Sequence, residues 1–145
     1  MSQQPEGRFL TTVNKPLKAW GIHWEKTHNI YRRGTPDVYY SANPRDLWCE
    51  FKYSKVLRSI KIAGPSQPCL TELQYRWLRE RHKEGRRVAV CIGFPQGGCF
   101  IQMEDFHRRI PLAELEQRIE VRKVLSARLR DYLTGVQDEL VRKAV

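Results

Sequence analysis

Long apolar segments are missing from this sequence of 145 residues. No stretch approaches the ~18 consecutive apolar residues that a membrane-spanning helix needs. The first ten residues, MSQQPEGRFL, also lack the apolar core of a signal peptide. Internal repeats and low-complexity linkers are absent as well. We therefore expect a chain with no membrane partner that folds around a core of its own.

Cysteine is scarce, and its spacing is not that of a metal site. The four cysteines are Cys49, Cys69, Cys91 and Cys99, and no two of them form a CxxC pair. A zinc site made of cysteines is therefore not expected. Three of the four stand in apolar, strand-like segments, where cysteine behaves as a small hydrophobic residue. This use of cysteine fits a reducing compartment, and we expect a cytoplasmic protein.

Acidic residues are few compared with basic ones. The chain has 26 Lys and Arg against 16 Asp and Glu, which gives a formal net charge of +10. An excess of this size on a small domain favours an anionic partner, most often a nucleic acid. Solubility alone is the other explanation of such a charge.

The hydrophobic pattern predicts an α/β fold with a mixed sheet. We expect these elements in chain order: a helix over 6–20 that Pro16 kinks or splits, strands over 22–31, 35–40 and 47–53, a helix between Thr71 and Gly85, strands over 88–92 and 99–103, and helices from 111 onward. The strand over 88–92 is continuously apolar, so we expect it to be covered on both faces.

Residues 47–53 alternate between an apolar face and a charged face. Glu50 and Lys52 lie on the charged face and should therefore point the same way, about 7 Å apart along the strand. Asp37 begins the preceding strand directly after Pro36. A hairpin that pairs in register would bring Asp37 close to Glu50.

Two neighbouring carboxylates repel each other, which a divalent cation would counteract. Mg²⁺ prefers oxygen ligands and takes few of them from protein, and Asp37, Glu50 and the backbone carbonyl of Phe51 could supply three. Lys52 could orient or deprotonate a water, or stabilise charge in the transition state. The simpler alternative is an exposed ion pair between Glu50 and Lys52, which contributes little to stability.

These motifs resemble a known family. Pro36-Asp37 followed by Glu50-Phe51-Lys52 resembles the PD-(D/E)XK nuclease superfamily. G-T-P-D at 34–37 and L-T-E-L-Q at 70–74 are similar to its VRR-NUC branch. Phage Holliday-junction resolvases of the endonuclease I type share the same core. The resemblance covers roughly residues 6–103 and implies a restriction-endonuclease-like sheet core in the order α-β-β-β-α-β-β.

The resemblance also implies a domain organisation and an activity. A nuclease core would span residues 1–104, and a C-terminal helical extension over 105–145 would pack on the core or form the seam of a homodimer. The activity would be Mg²⁺-dependent hydrolysis of DNA, with branched, flap or junction DNA as substrate and Mn²⁺ able to replace Mg²⁺. A phage or mobile-element origin would place the protein in the host cytoplasm.

Five residues are assigned to the catalytic site by the resemblance. Asp37 and Glu50 would bind the metal, and Lys52 would be catalytic. Gln74 matches a helical glutamine beside the site; the alternative is that it only closes a capping box at the start of its helix. Glu6 matches a glutamate of the first helix, although its position could equally serve the helix dipole.

Basic residues on both sides of the motif are predicted to contact nucleic acid. These residues are Arg32, Arg33, Lys55, Arg58 and Lys61. Contacts with phosphates give affinity and register rather than sequence choice. Two alternatives stay open: a non-catalytic nucleic-acid-binding protein on the same fold, and a nuclease module that is active only within a larger complex.

Overall fold

The computed structural model describes residues 4–27 and 34–141. Its elements are α1 (Pro5–Ala19), β1 (His23–Lys26), β2 (Val38–Ser41), β3 (Leu47–Tyr53), β4 (Ile60–Lys61), α2 (Glu72–Lys83), β5 (Val88–Phe94), β6 (Gly97–Gln102), a 3₁₀ turn (Met103–Asp105), β7 (Arg109–Ile110), α3 (Leu112–Arg118) and α4 (Arg122–Leu133). Within the described ranges, no helix combines the length and apolar character required to span a bilayer.

A five-stranded mixed sheet forms the centre of the fold, in the strand order β1-β2-β3-β5-β6. The pair β3 and β5 is parallel, and α2 makes the crossover between these strands. The other neighbouring strands in this sheet are antiparallel. The short strands β4 and β7 form a separate two-stranded sheet. The predicted mixed α/β architecture with flanking helices is confirmed.

The sheet separates two apolar clusters because successive side chains of a strand point to opposite faces. One cluster joins Phe51 of β3 to residues of α1 and α4. The other joins Val90 of β5 to Leu78 of α2 and Leu115 of α3. Helices thus cover both faces, and every residue of β5 is buried, as predicted for a continuously apolar strand.

Pro16 does not divide the first helix, so the predicted split into two short helices is wrong, whereas the alternative of a kink stays a prediction. The residue lies in the last turn of α1, which continues to Ala19. Proline removes one backbone hydrogen bond there. Phe9, Val13 and Leu17 are fully buried on one side of this helix. Their packing offsets the lost bond, since tertiary contacts supply most of the stability of a helix in a folded protein.

The predicted strand over 22–31 is shorter in the structure, and its end from residue 28 lies outside the described residues. Residues beyond 104 contribute to both clusters. Leu125 and Leu129 of α4 pack with Phe9 in the first cluster, and Leu115 lies in the second. The dimer seam suggested for these helices stays a prediction.

Candidate active site

The β2–β3 hairpin places Asp37 beside Glu50. Its register pairs Val38 with Cys49, so the residue before Val38 lies opposite the residue after Cys49. The backbone N–H of Asp37 donates to Oε1 of Glu50 over 3.1 Å. In return, the N–H of Phe51 donates to Oδ2 of Asp37 over 2.9 Å. Each carboxylate is therefore oriented by the backbone of the other strand.

Glu50 is buried, with an exposed fraction of 4%. Its Oε2 accepts a hydrogen bond from Nε2 of Gln74 over 2.9 Å and lies 3.4 Å from Nζ of Lys52. The pKa of this carboxyl is raised to about 8, first by burial and then by the charge of Asp37, whereas Lys52 acts to lower it. The ion pair with Lys52 is consequently not the exposed surface contact that was the simpler alternative.

Gln74 closes the capping box of α2 and also contacts Glu50, while its role in catalysis stays a prediction. Its side-chain Oε1 accepts from the N–H of Thr71 over 3.0 Å, and its own N–H donates to Oγ1 of Thr71 over 3.1 Å. These two bonds form a complete capping box at the start of α2. Because the same amide donates to Glu50 from its other end, the helix cap fixes the direction of the Gln74 side chain toward the carboxylate.

Two residues without an assigned role position the segment that leads through Asp37 into β2. The hydroxyl of Thr27 donates to the carbonyl of Pro36, and the N–H of Thr27 donates to the carbonyl of Asp37 over 2.9 Å. Gly34 has a φ of +90°, and a Cβ at this position would lie 2.6 Å from the carbonyl oxygen of Leu73. The glycine of the G-T-P-D motif thus lets the turn approach the first turn of α2. Nothing in the sequence distinguished Thr27.

Glu6 lies in the first turn of α1, on the protein surface. Partial burial raises its pKa; Lys52 lowers the pKa, and Asp37 raises it. The carboxyl is therefore within electrostatic range of the site. Among the residues described, no hydrogen bond joins Glu6 to Asp37, Glu50 or Lys52, so its role stays a prediction.

The site offers few side-chain ligands for a metal. Across residues 4–27 and 34–141, no group of three or more His, Cys, Asp or Glu side chains could hold a metal ion. The available donors are the carboxylates of Asp37 and Glu50 and the backbone carbonyl of Phe51. Hard oxygen donors in this number fit a divalent cation that keeps several waters. A cation there would also offset the repulsion that raises the pKa of Glu50.

A basic cleft of about 290 Å³ lies beyond the end of β3. Its lining includes Ser54, Arg58, Lys61, Gln67, Cys69 and Arg109. Two of the predicted nucleic-acid contacts, Arg58 and Lys61, therefore line one cleft, whereas Lys55 lies nearby on the exposed surface. Arg32 and Arg33 lie outside the described residues. Sequence reasoning missed Arg109, because only the pairing of β7 with β4 brings it to this cleft.

Comparisons with known proteins bear on the fold. No protein-family model and no curated protein sequence matches the chain. One similar solved structure is that of Hjc from Archaeoglobus fulgidus, described as a Holliday junction resolvase from an archaeal hyperthermophile. The TM-score is 0.56 at 16% sequence identity, over 81% of this chain and 98% of that chain. This likeness, together with the five-stranded mixed sheet, shows a restriction-endonuclease-like fold.

Proposed function

We propose that this protein is a metal-dependent DNA endonuclease that selects branched, flap or junction DNA. The observation that carries the proposal is the convergence of Asp37, Glu50 and Lys52 within the β2–β3 hairpin, with Gln74 bonded to the buried carboxylate. A protein that only binds nucleic acid has no need of two adjacent carboxylates, which repel the phosphates of its ligand.

The carboxylates of Asp37 and Glu50 and the carbonyl of Phe51 would hold Mg²⁺, with Mn²⁺ as a substitute. When bound, the ion supplies positive charge that offsets the charge of the phosphodiester. It also supplies Lewis acidity, which polarises a phosphoryl oxygen. The hydrogen bonds from Phe51 N–H and Gln74 Nε2 orient the two carboxylates before substrate arrives. Such preorganisation avoids reorganising the ligands during the reaction.

Lys52 can serve the reacting phosphate directly. Its side chain is 23% exposed, and its Nζ lies 3.4 Å from Glu50. Held there, the ammonium group orients the attacking water or stabilises the charge that develops on the phosphoryl oxygens. The water oxygen bonds to phosphorus and the ester P–O bond breaks. The protons of the water go to the leaving oxygen and to solvent, so one water is consumed for each cut.

The substrate class rests on two supports. The net charge of +10 suits a polyanion. The similar solved structure is described as a Holliday junction resolvase, and we extend junction DNA to this chain as part of the proposal. Membership of the VRR-NUC branch, a phage or mobile-element origin and a cytoplasmic location belong to the same proposal and rest on the sequence motifs.

The test is cleavage of labelled single-stranded, duplex, flap and four-way-junction DNA with Mg²⁺, with Mn²⁺ and with EDTA. Glu50→Gln removes one charge from the site. Glu116→Gln removes the same charge from an exposed position on α3 and is the matched control. We expect metal-dependent cleavage by the wild type and the control. In Glu50→Gln we expect a loss of at least about 100-fold, with DNA binding kept.

The alternatives give different outcomes in the same assay. Binding of DNA by all three proteins without cleavage of any substrate would support a non-catalytic protein on this fold. Metal-dependent cleavage that appears only after addition of a cell extract, and that still requires Glu50, would support a nuclease module of a larger complex.

A further inference from the structure

The basic cleft beyond β3 is a candidate for a second contact with the substrate backbone. We propose that Lys61 and Arg109 bind, in this cleft, a DNA backbone phosphate that neighbours the phosphate being cut. The identity of the ligand rests on the proposed function, whereas the preference of the cleft for an anion does not. Because Arg109 lies in β7, the segment after residue 104 would also take part in substrate binding.

The register of the two-stranded sheet brings two cations side by side. Lys61 of β4 pairs directly with Arg109 of β7 in antiparallel register. Directly opposite side chains lie on the same face of a sheet, and like charges in this arrangement destabilise the pairing. An anion between the two cations would remove this cost. Because the cleft lies on this pair, the phosphate group of a nucleic acid is a fitting occupant.

These two cations lack acidic partners among the described residues. In the described part of the chain, neither Lys61 nor Arg109 forms an ion pair. Lys61 donates to the carbonyl of Pro65 over 3.1 Å, and Arg109 makes only long contacts of 3.4–3.5 Å with the carbonyl of Ser66 and the hydroxyl of Ser59. Neutral oxygens leave the positive charges of both side chains uncompensated.

Arg108, the residue before Arg109, is paired with acidic side chains, so a lack of acidic partners is not general in this part of the fold. Arg108 lies within 2.8 Å of Asp105 and 2.6 Å of Glu114. Arg118 shares the same two carboxylates. Acidic residues are thus available next to β7 in the sequence, yet they neutralise Arg108 and Arg118 rather than Arg109.

The cleft lies close to Lys52 along the chain. Ser54, which lines the cleft, follows Lys52 by two residues, or about 7 Å of extended chain. Its N–H donates to the carbonyl of Gly93, so the β3–β5 pairing continues to this point. Cys69 also lines the cleft. Burial raises the pKa of its thiol, and the charges of Lys52 and Arg109 partly oppose this rise, so the thiol lies within electrostatic range of both cations. A single nucleic-acid strand could therefore contact both places.

The loop that closes the cleft is held in a defined shape. The N–H groups of Cys69 and Leu70 donate to the carbonyls of Lys61 and Ile62 over 2.9 Å. Ser66 and Gln67 adopt left-handed φ values of 74° and 57°, which non-glycine residues rarely do. Rigid backbone on one side of the cleft would leave less conformational entropy to lose when a phosphate binds.

Cys69 provides a test that needs no DNA. The other three cysteines are buried, so alkylation should report on Cys69 alone. We would compare the rates of the anionic reagent iodoacetate and the neutral reagent iodoacetamide. Both reagents react with the thiolate, so the ratio of the iodoacetate rate to the iodoacetamide rate does not depend on the fraction of Cys69 present as thiolate. In Lys61→Gln and in Arg109→Gln we expect this ratio to fall about fivefold.

A matched control is Arg86→Gln, because Arg86 lines a different cleft and forms no ion pair among the described residues. Its alkylation ratio should equal that of the wild type. Thermal melts establish that each variant is folded. An unchanged ratio in folded Lys61→Gln and Arg109→Gln would overturn the proposal, because the cleft would then show no preference for anions.

Binding of a four-way junction and of duplex DNA in EDTA then tests the phosphate itself. Arg109→Gln should weaken binding about tenfold at low salt and reduce the slope of log K against log salt by about 0.9, the value for one phosphate contact. Arg86→Gln should leave the slope unchanged. If the wild type proves inactive while Arg109→Gln still weakens binding, only the nuclease proposal fails. Cleavage by the wild type with an unchanged slope in Arg109→Gln would refute only the phosphate site.

Discussion

Gln74 donates a hydrogen bond from its Nε2 to Oε2 of Glu50 over 2.9 Å, while its Oε1 completes the capping box of α2. One amide therefore connects the start of a helix to the buried carboxylate of a neighbouring strand. Because Oε1 of this amide accepts from the N–H of Thr71, the Gln74 side chain cannot turn away from Glu50 without losing one of the two capping bonds. The stability of α2 and the orientation of Glu50 are thus coupled through one side chain.

This coupling predicts that Gln74→Leu loses activity through Glu50. Removal of a residue that orients a metal-binding carboxylate costs about 10–100-fold in metal affinity or activity. The control is Thr71→Ala, which removes one capping bond, costs about 1 kcal/mol of stability and leaves the bond to Glu50 in place. Titration of activity with Mg²⁺ should show a higher metal requirement for Gln74→Leu only. Equal losses in both variants would mean that Gln74 acts through the helix alone.

The raised pKa of Glu50 predicts that the metal-free protein loses stability as the pH rises. The carboxyl has a pKa of about 8 in the folded state against an ordinary value of 4.5. Below pH 4.5 it is neutral in both states, and between 4.5 and 8 mainly the unfolded chain releases the proton, which favours unfolding. A tenfold difference in acidity corresponds to about 1.4 kcal/mol. Urea unfolding in EDTA should therefore show a loss of at least about 1 kcal/mol between pH 5 and pH 8.

In Glu50→Gln the free energy of unfolding should depend less on pH, because the variant carries no titrating group at this position. Addition of Mg²⁺ at pH 8 should raise the melting temperature of the wild type, since a ligand that binds only the folded state stabilises it. The same addition should leave Glu50→Gln unchanged. If the unfolding free energies of the wild type and the variant changed equally with pH, Glu50 would not be the group that causes the loss of stability.

The parts of the site that could be predicted from the sequence are those with a strong local pattern. The bounds of β3 match the prediction because its side chains alternate over seven residues. The burial of Glu50 did not follow from this pattern, which placed it on a charged face. Trp48 on the same face packs against Trp77 of α2, and Gln74 of this helix contacts Glu50 directly, so α2 lies against the face.

The basic cleft shows what the sequence could not provide. The strands β4 and β7 have two residues each, too few for any periodicity to indicate them. Arg108 and Arg109 are identical neighbours in the sequence, yet one is neutralised by Asp105 and Glu114 and the other faces the cleft. This difference depends on a pairing between segments about 50 residues apart, which no local signal encodes.

Gly34 provides a test of how closely the G-T-P-D turn must approach α2. Gly34→Ala would place a Cβ 2.6 Å from the carbonyl oxygen of Leu73, in a backbone with φ of +90°. The control is Gly85→Ala, which has a φ of +86° and no atom within 4 Å of its Cβ. The positive φ alone costs about 1–2 kcal/mol, so both variants should lose this amount. Gly34→Ala should lose more stability and also activity, measured as kcat and KM, because the turn must move away from Gln74.

The packing of α4 predicts how the C-terminal helices contribute to stability. Leu129 is fully buried, and Leu129→Ala should cost about 2–5 kcal/mol through lost burial and a cavity. Val124 on the same helix is 38% exposed, so Val124→Ala should cost less than about 1 kcal/mol. Both values can be measured by urea unfolding, with sedimentation to follow the oligomeric state. If Val124→Ala instead dissociated a dimer, the exposed side of α4 would be the dimer seam. The helix would then serve both the core, through Leu129, and the dimer.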